Sequence, residues 1–302
     1  CVCSLDQKAY ALTMQMSATS LSTSRTLSIP IEGSDLVIDT ERVTGDWQQG
    51  RYHWRGRVLH DEHGVVSLVQ SGDIITGEII AGGHSYLLHQ ENKQLELIES
   101  ESLVRSSESH SGATKDFISV DELAQGFTEP FASVSTTTTD NFVDVMIVYS
   151  QDVGAISGAE ANLRARIDAA NEMLARSCAN FRYRLVHIQQ ITYTETGNST
   201  TDLAELQDDD SGGDTLDAVH ALRDTYGADL VHLVTVTSNP CGLAYLSQSG
   251  FYNDSYGFGV SGYWCNSRTL AHELGHNLGA SHDRYETGND INESTVLLTG
   301  YR

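Results

Sequence analysis

Three histidines and one glutamate stand in a fixed spacing within residues 267–283, SRTLAHELGHNLGASHD. His272 and His276 are four residues apart, so on a helix capped by Ser267 and running to about residue 278 they share one face and can point both imidazoles at one metal ion. Glu273 is the next residue round. Its carboxylate can sit beside the ion without ligating it and take a proton from a bound water. Gly279 lets the chain leave the helix in a backbone conformation that costs other residues more, which returns His282 as a third nitrogen ligand. Three protein donors with one position open are the catalytic arrangement of zinc, in which a water of pKa about 7 takes the fourth place. Copper and nickel also bind imidazole, so zinc rests on availability and on the neighbouring Glu273 as much as on affinity. With 12 His, 26 Gly and 41 acidic residues in 302, the pattern H-E-x-x-H-x-x-G-x-x-H would arise by chance in roughly two chains in ten thousand of this composition.

This motif resembles that of the metzincins, zinc endopeptidases that carry H-E-x-x-H-x-x-G-x-x-H. Asn277 after the second histidine and Asp283 after the third make it most similar to the adamalysin or reprolysin branch in its secreted bacterial form. The resemblance covers residue 140 onward closely and the preceding region loosely. It implies an α/β (α+β) metzincin-like catalytic domain, with a mostly parallel sheet and an active-site helix, preceded by a β-rich prodomain. The implied chemistry is peptide hydrolysis by a zinc-activated water with Glu273 as general base. It also implies that Gly242, Leu243, Ala244 and Tyr245 form the sheet edge that pairs with an extended protein or peptide substrate, the glycine and alanine keeping that approach open. Two other functions fit the same residues: a metzincin-like binding protein without activity, and a zinc hydrolase of small amides that lacks an extended cleft. Metzincins place a methionine turn some distance after the third histidine. Here the last methionine is Met173 and the sequence ends at Arg302, so either the chain stops short of that turn, which is the expectation, or the floor of the site is built differently.

The remaining composition narrows the classes. A formal net charge of -23, from 18 basic and 41 acidic residues, disfavours nucleic acid or anionic membrane as a partner and suits a secreted or salt-adapted protein. No run of 18 apolar residues offers a membrane span. The sequence opens on Cys1 without methionine or an apolar leader, which leads us to expect a secreted, extracellular protein, exported in the Gram-negative manner and written after its signal peptide; a lipid anchor on Cys1 is the alternative.

Along the chain, residues 1–103 read as a β-rich unit, with short β-branched runs at 26–31, 36–39, 50–59, 65–70, 74–80, 86–89 and 95–98 divided by turn residues. Trp54 and Tyr86 are expected in its core, and His53, His60, His63, His84 and His89 as ordinary surface residues. Its WRGRVL, ITGEI and GGHSYLL segments resemble the propeptides that precede reprolysin-type catalytic domains, which implies that the chain carries its own intramolecular inhibitor. Residues 104–140, rich in Ser, Thr and acidic residues and with apolar character only at 117–123, read as a linker holding the maturation site. Residues 141–302 read as the catalytic domain: strands at 142–149, 181–193 and 229–236 alternate with helices at 159–177 and 214–226, the second capped by Asp214. His187, His220 and His232 fall outside the motif, as core or edge residues. Asp208, Asp209, Asp210 and Asp214 could hold calcium, although a solvated acidic loop is the commoner explanation.

Five cysteines complete the inventory. Cys241 and Cys265 flank the loop that leads into the histidine helix, and in an exported protein a bridge closing about 25 residues would stabilise by roughly 3 kcal/mol. Cys178 is expected to be buried. Cys1 and Cys3 are too close to bridge each other and so find a distant partner, stay free or ligate metal. A thiolate from Cys3, or else Cys1, could occupy the fourth zinc position and silence the enzyme until the prodomain leaves, although their flanking residues differ from the usual switch sequences.

Overall fold

Alternating apolar runs separated by tight turns fold locally, each strand against the next. In the computed structural model β1 (Ala9–Leu12), β2 (Thr26–Ile31), β3 (Ser34–Asp46), β4 (Arg51–Val58), β5 (Val65–Ser71), β6 (Ile74–Ala81), β7 (His84–Glu91) and β8 (Gln94–Ser100) form an eight-stranded antiparallel sheet of order β1-β8-β7-β6-β5-β4-β3-β2. The structure describes residues 9–12, 26–31, 34–46, 51–61, 64–72, 74–82, 84–91, 94–100, 116–119, 141–209, 216–236, 238–246, 254–265 and 267–282. The chain divides into two units, the first comprising Cys1–Gly112, Gly154–Ala169 and Trp264–Ser267 and the second the rest.

Strict alternation along β5 sends Val66 and Leu68 inward, where they meet Ile38, Trp54, Ile79 and Leu88 in one apolar cluster. Tyr86 packs against that cluster. Residues 159–169 of helix α1 (Ala159–Arg176) belong to the same unit, where Asn162 Nδ2 donates to Thr76 Oγ1 at 3.3 Å. Two histidines expected at the surface are buried. His53 is 9% exposed, 2.8 Å from both Ser67 Oγ and Asp168 Oδ2, and His89 is 5% exposed with its ring edge-on to Trp264. Their strand neighbours Trp54 and Leu88 belong to the apolar cluster, so the two histidines face the other side of the sheet, where Asp168 and Trp264 of the same unit lie against them.

The second unit is built on a six-stranded sheet, order β11-β10-β12-β14-β13-β9, formed by β9 (Phe117–Ser119), β10 (Phe142–Ser150), β11 (Arg182–Ile191), β12 (Leu230–Thr235), β13 (Gly242–Leu246) and β14 (Phe258–Gly262). β10 runs parallel to β11 and β12, and β12 parallel to β14. β13 is antiparallel to β14 and parallel to β9, so the sheet is mixed. Helices α2 (Ser199–Gln207), α3 (Asp217–Tyr226) and α4 (Ser267–Asn277) complete the unit, and Leu203, Leu206 and Val219 share a cluster with Val231, Leu243 and Phe258. α2 is unexpected. Its cap is Asn198, whose side chain accepts from the Thr200 and Thr201 amides and so satisfies two donors of the first turn. α3 begins later than its sequence suggests, with Leu216 at the N-cap and no side-chain cap, and Asp214 lies outside the described residues. β14 escaped the sequence reading because FGVSG is short and holds two glycines, a weak strand signal. Among the described residues no helix is long and apolar enough to cross a membrane.

Candidate metal centre

Helix α4 carries the histidine motif, and its exit sets the third histidine. The Leu278 amide donates to Leu274 O, the Gly279 amide to His276 O and the Ala280 amide to Gly275 O, which tightens the last turn. Gly279 takes φ of +88°, the conformation its lack of a side chain permits. The chain then turns back to His282. His272 Nε2 lies 2.9 Å from His276 Nε2 and 3.2 Å from His282 Nε2. His276 Nδ1 donates to Ala280 O at 2.7 Å, which fixes the proton on Nδ1 and leaves Nε2 as a lone pair facing the other two rings. Such a convergence of imidazole nitrogens repels itself unless a cation sits among them, so the donor set fits a metal ion.

A fourth donor completes the group. Asp116, just before β9, brings Oδ1 to 2.6 Å from His282 Nε2 and Oδ2 to 3.3 Å from His272 Nε2. One ligand atom from each of Asp116, His272, His276 and His282 lies within 4.8 Å of every other, and this is the one such cluster among the described residues. Burial alone pulls the Asp116 carboxyl upward, but the close approach of the three histidines outweighs it and holds it well below the usual carboxylate range. Burial pushes His276 down, toward the neutral form a metal ligand needs. Asp116 falls in the stretch read as a linker. Its only sequence signal was the short apolar run that begins beside it at Phe117.

Glu273 is 1% exposed and its Oε2 has no hydrogen-bond partner in the protein. Burial, and secondarily the charge of Asp116, raise its pKa well above the ordinary carboxylate value. Gly242 packs directly on it: a Cβ there would come 2.7 Å from Glu273 Cδ and 2.6 Å from Thr269 Cγ2. Gly242 was read as leaving room for a substrate backbone, and in the structure the room is taken by the glutamate. Leu243, Ala244 and Tyr245 continue β13, all buried, and burial pushes the Tyr245 phenol up to about 12. The outer side of β13 is paired with β9, in the register Ala244–Phe117, Tyr245–Ile118 and Leu246–Ser119. Asn277, noted only for its place in the motif, donates from Nδ2 to Tyr245 O at 2.9 Å, Phe258 O at 2.9 Å and Tyr256 O at 3.3 Å, tying the end of α4 to β13 and β14.

The other candidates separate from this centre. His232 Nε2 contacts Ser261 Oγ at 2.8 Å, His220 Nε2 donates to Leu206 O, and His187 stacks on Tyr226. Cys241 and Cys265 are both disulfide-bonded. Cys178 is exposed rather than buried, at φ +55° just beyond α1. Cys1 and Cys3 lie outside the described residues, as do Asp210 and Asp214 of the acidic loop.

Residues 136–297 match the reprolysin-like metallo-peptidase family M12B. A peptidyl-Asp metalloendopeptidase of Pseudomonas aeruginosa is 30% identical over 157 residues, covering 46% of this chain and 25% of the relative. Another, from Xanthomonas campestris pv. campestris, is 28% identical over 220 residues, covering 72% of this chain and 51% of the relative. The chain thus spans about half the length of one relative and a quarter of the other. Among solved structures, metalloproteinase-II from Bacteroides fragilis aligns with a TM-score of 0.50 over 85% of this chain and 81% of that one, at 12% identity, a likeness of fold.

Proposed function

The chain belongs to the reprolysin-like metallopeptidases of family M12B, and from that premise we propose that it is a zinc-dependent endopeptidase, in precursor form, that cuts peptide bonds next to aspartate. The observation that carries this is the convergence of His272, His276 and His282 through Nε2, with an unpartnered Glu273 buried on the same helix. The three histidines would hold the ion. Zinc bound there supplies Lewis acidity to a scissile carbonyl and lowers the pKa of a bound water to about 7. Glu273 takes the proton of the attacking water and later returns it to the leaving amine, a role its burial favours because that raises its proton affinity. Residues 242–246 offer backbone groups to an extended peptide. The aspartate preference follows the names of the relatives.

The disulfide-bonded state of Cys241 and Cys265 supports a protein that works outside the cytoplasm. The β-rich residues 1–103 act in this reading as the propeptide, released by a cut within 104–140. N-terminal sequencing of the active species locates that cut, and a start inside β10 contradicts it.

Glu273→Gln in the purified, matured protein is the test. We expect one zinc per chain to be retained while casein digestion falls by about 10²–10⁴-fold. A Glu273→Gln protein that digests casein at near wild-type rate removes Glu273 from the mechanism; a chain without stoichiometric zinc removes the whole reading.

A further inference from the structure

The donor count at the centre is four, and that number is the clue. A catalytic zinc site keeps one position open, whereas a site with four protein donors is closed. Here the fourth donor, Asp116, comes from a segment far from the motif in sequence. The same segment uses its backbone on the neighbouring strand: Ala244 N–H donates to Asp116 O at 3.3 Å, and Phe117, Ile118 and Ser119 pair in parallel with Ala244, Tyr245 and Leu246. Phe117 closes the contact, its ring centroid 5.2 Å from that of His276 and 5.4 Å from that of His282. Side chain and backbone therefore take, together, the two things a peptide substrate needs: the open metal position and the outer edge of β13.

Resting on the endopeptidase reading above, we propose that Asp116 and β9 are a built-in plug of the active site, with the Asp116 carboxylate as the ligand that keeps the precursor latent. In this proposal the fourth position goes to an oxygen donor from residue 116, while Cys1 and Cys3 lie outside the described residues. A carboxylate suits a reversible plug. One oxygen of Asp116 would serve as the zinc ligand, and the side chain depends on the β9 backbone to stay in place. The plug is held by effective concentration, so a cut on the N-terminal side of Asp116 leaves it tethered to the site, and only a cut beyond Ser119 sets it free.

The test reads the metal rather than catalysis. Intact precursor is loaded with cobalt in place of zinc and titrated with acetohydroxamic acid, while the visible cobalt spectrum is followed for wild type, Asp116→Asn and Asp116→Ala. A plug that occupies the site in all but about one molecule in a hundred weakens apparent hydroxamate affinity by about a hundred-fold, so both variants should bind that much more tightly than wild type. Their spectra before titration should also differ from wild type, because one donor has changed. Equal spectra and equal hydroxamate affinity in all three, each holding one cobalt, overturn the plug and leave the endopeptidase reading standing. Wild-type precursor that takes up no cobalt overturns the metal reading itself and the plug with it. Melting curves separate a variant that has unfolded from one that has opened, and the near-isosteric Asp116→Asn carries the comparison if Asp116→Ala does not fold.

Discussion

The two sheets of this protein were assembled under different rules. In the antiparallel sheet β2 to β8 lie side by side in chain order, and only β1 joins out of turn, at β8. In the mixed sheet only β10 with β11 and β13 with β14 are neighbours in both chain and space, and β9 pairs with a strand more than a hundred residues later. From β2 to β8 the first arrangement closes short loops at small entropic cost and pairs only segments close in sequence. The second brings together segments from both ends of its unit, and the group of Asp116, His272, His276 and His282 lies there. The difference teaches that a meander can be a plain scaffold, whereas a crossover sheet makes meeting points.

The sharpest way to break that comparison is to damage one unit and measure the other. Leu68→Ala removes a 1%-exposed side chain from the centre of the antiparallel core. It should cost about 2–5 kcal/mol, read by denaturant titration. Zinc content of the folded protein should stay at one per chain. A Leu68→Ala protein that is folded by circular dichroism yet has lost its zinc shows that the division between scaffold and site is wrong.

A smaller effect is expected inside the mixed sheet. Gly242→Ala places a methyl group where Glu273 and Thr269 already are, and overpacking of this kind costs about 1–3 kcal/mol. Because the clash falls on Glu273, casein hydrolysis should drop while zinc stays bound. An unchanged rate at full zinc occupancy shows that Gly242 serves only the strand.

How much of this was legible follows from the same contrast. Strands 26–31, 65–70 and 74–80 lie where alternation and turn residues put them, since both signals are local. His272, His276 and His282 were found because three of the four members of the centre sit within one helix and its exit, where spacing alone fixes geometry. Asp116 was not, because nothing about an aspartate in a Ser/Thr-rich stretch reveals which distant strand its neighbours will join. β14 and α2 were missed for a related reason: FGVSG and the Asn198 cap become decisive only once β12 and the cluster around Leu203 and Leu206 are in place. His53 and His89 were misjudged because nothing local shows that the second face of their strands is covered too, by Asp168 and Trp264.

Asn277 gives a prediction of similar size on the helix that carries the motif. Asn277→Ala withdraws donors from the carbonyls of Tyr245 and Phe258, both buried contacts, and should cost about 1–3 kcal/mol. The loosened end of α4 lies next to His276, so zinc affinity, measured by competition with a chelator, should weaken as well. Loss of stability without loss of affinity shows that Asn277 only braces the sheet.

The smallest expected effect returns to the antiparallel unit and uses the same substitution as at Gly242. Gly82 turns the chain between β6 and β7 at φ +59°, and its amide donates to Asp61 Oδ2 at 2.7 Å. A Cβ there meets nothing within 4 Å, so Gly82→Ala is opposed only by the backbone conformation. That strain costs about 1–2 kcal/mol for a residue with a side chain. At Gly242 space is short and the neighbour is Glu273, while at Gly82 space is free and the neighbour is solvent. Gly82→Ala should therefore lower the melting temperature by a few degrees, about 2–4 °C for a protein of this size class. Zinc content and casein hydrolysis after maturation should equal wild type. A Gly82→Ala protein as impaired in hydrolysis as Gly242→Ala ties the turn to the site and erases the distinction between the two glycines.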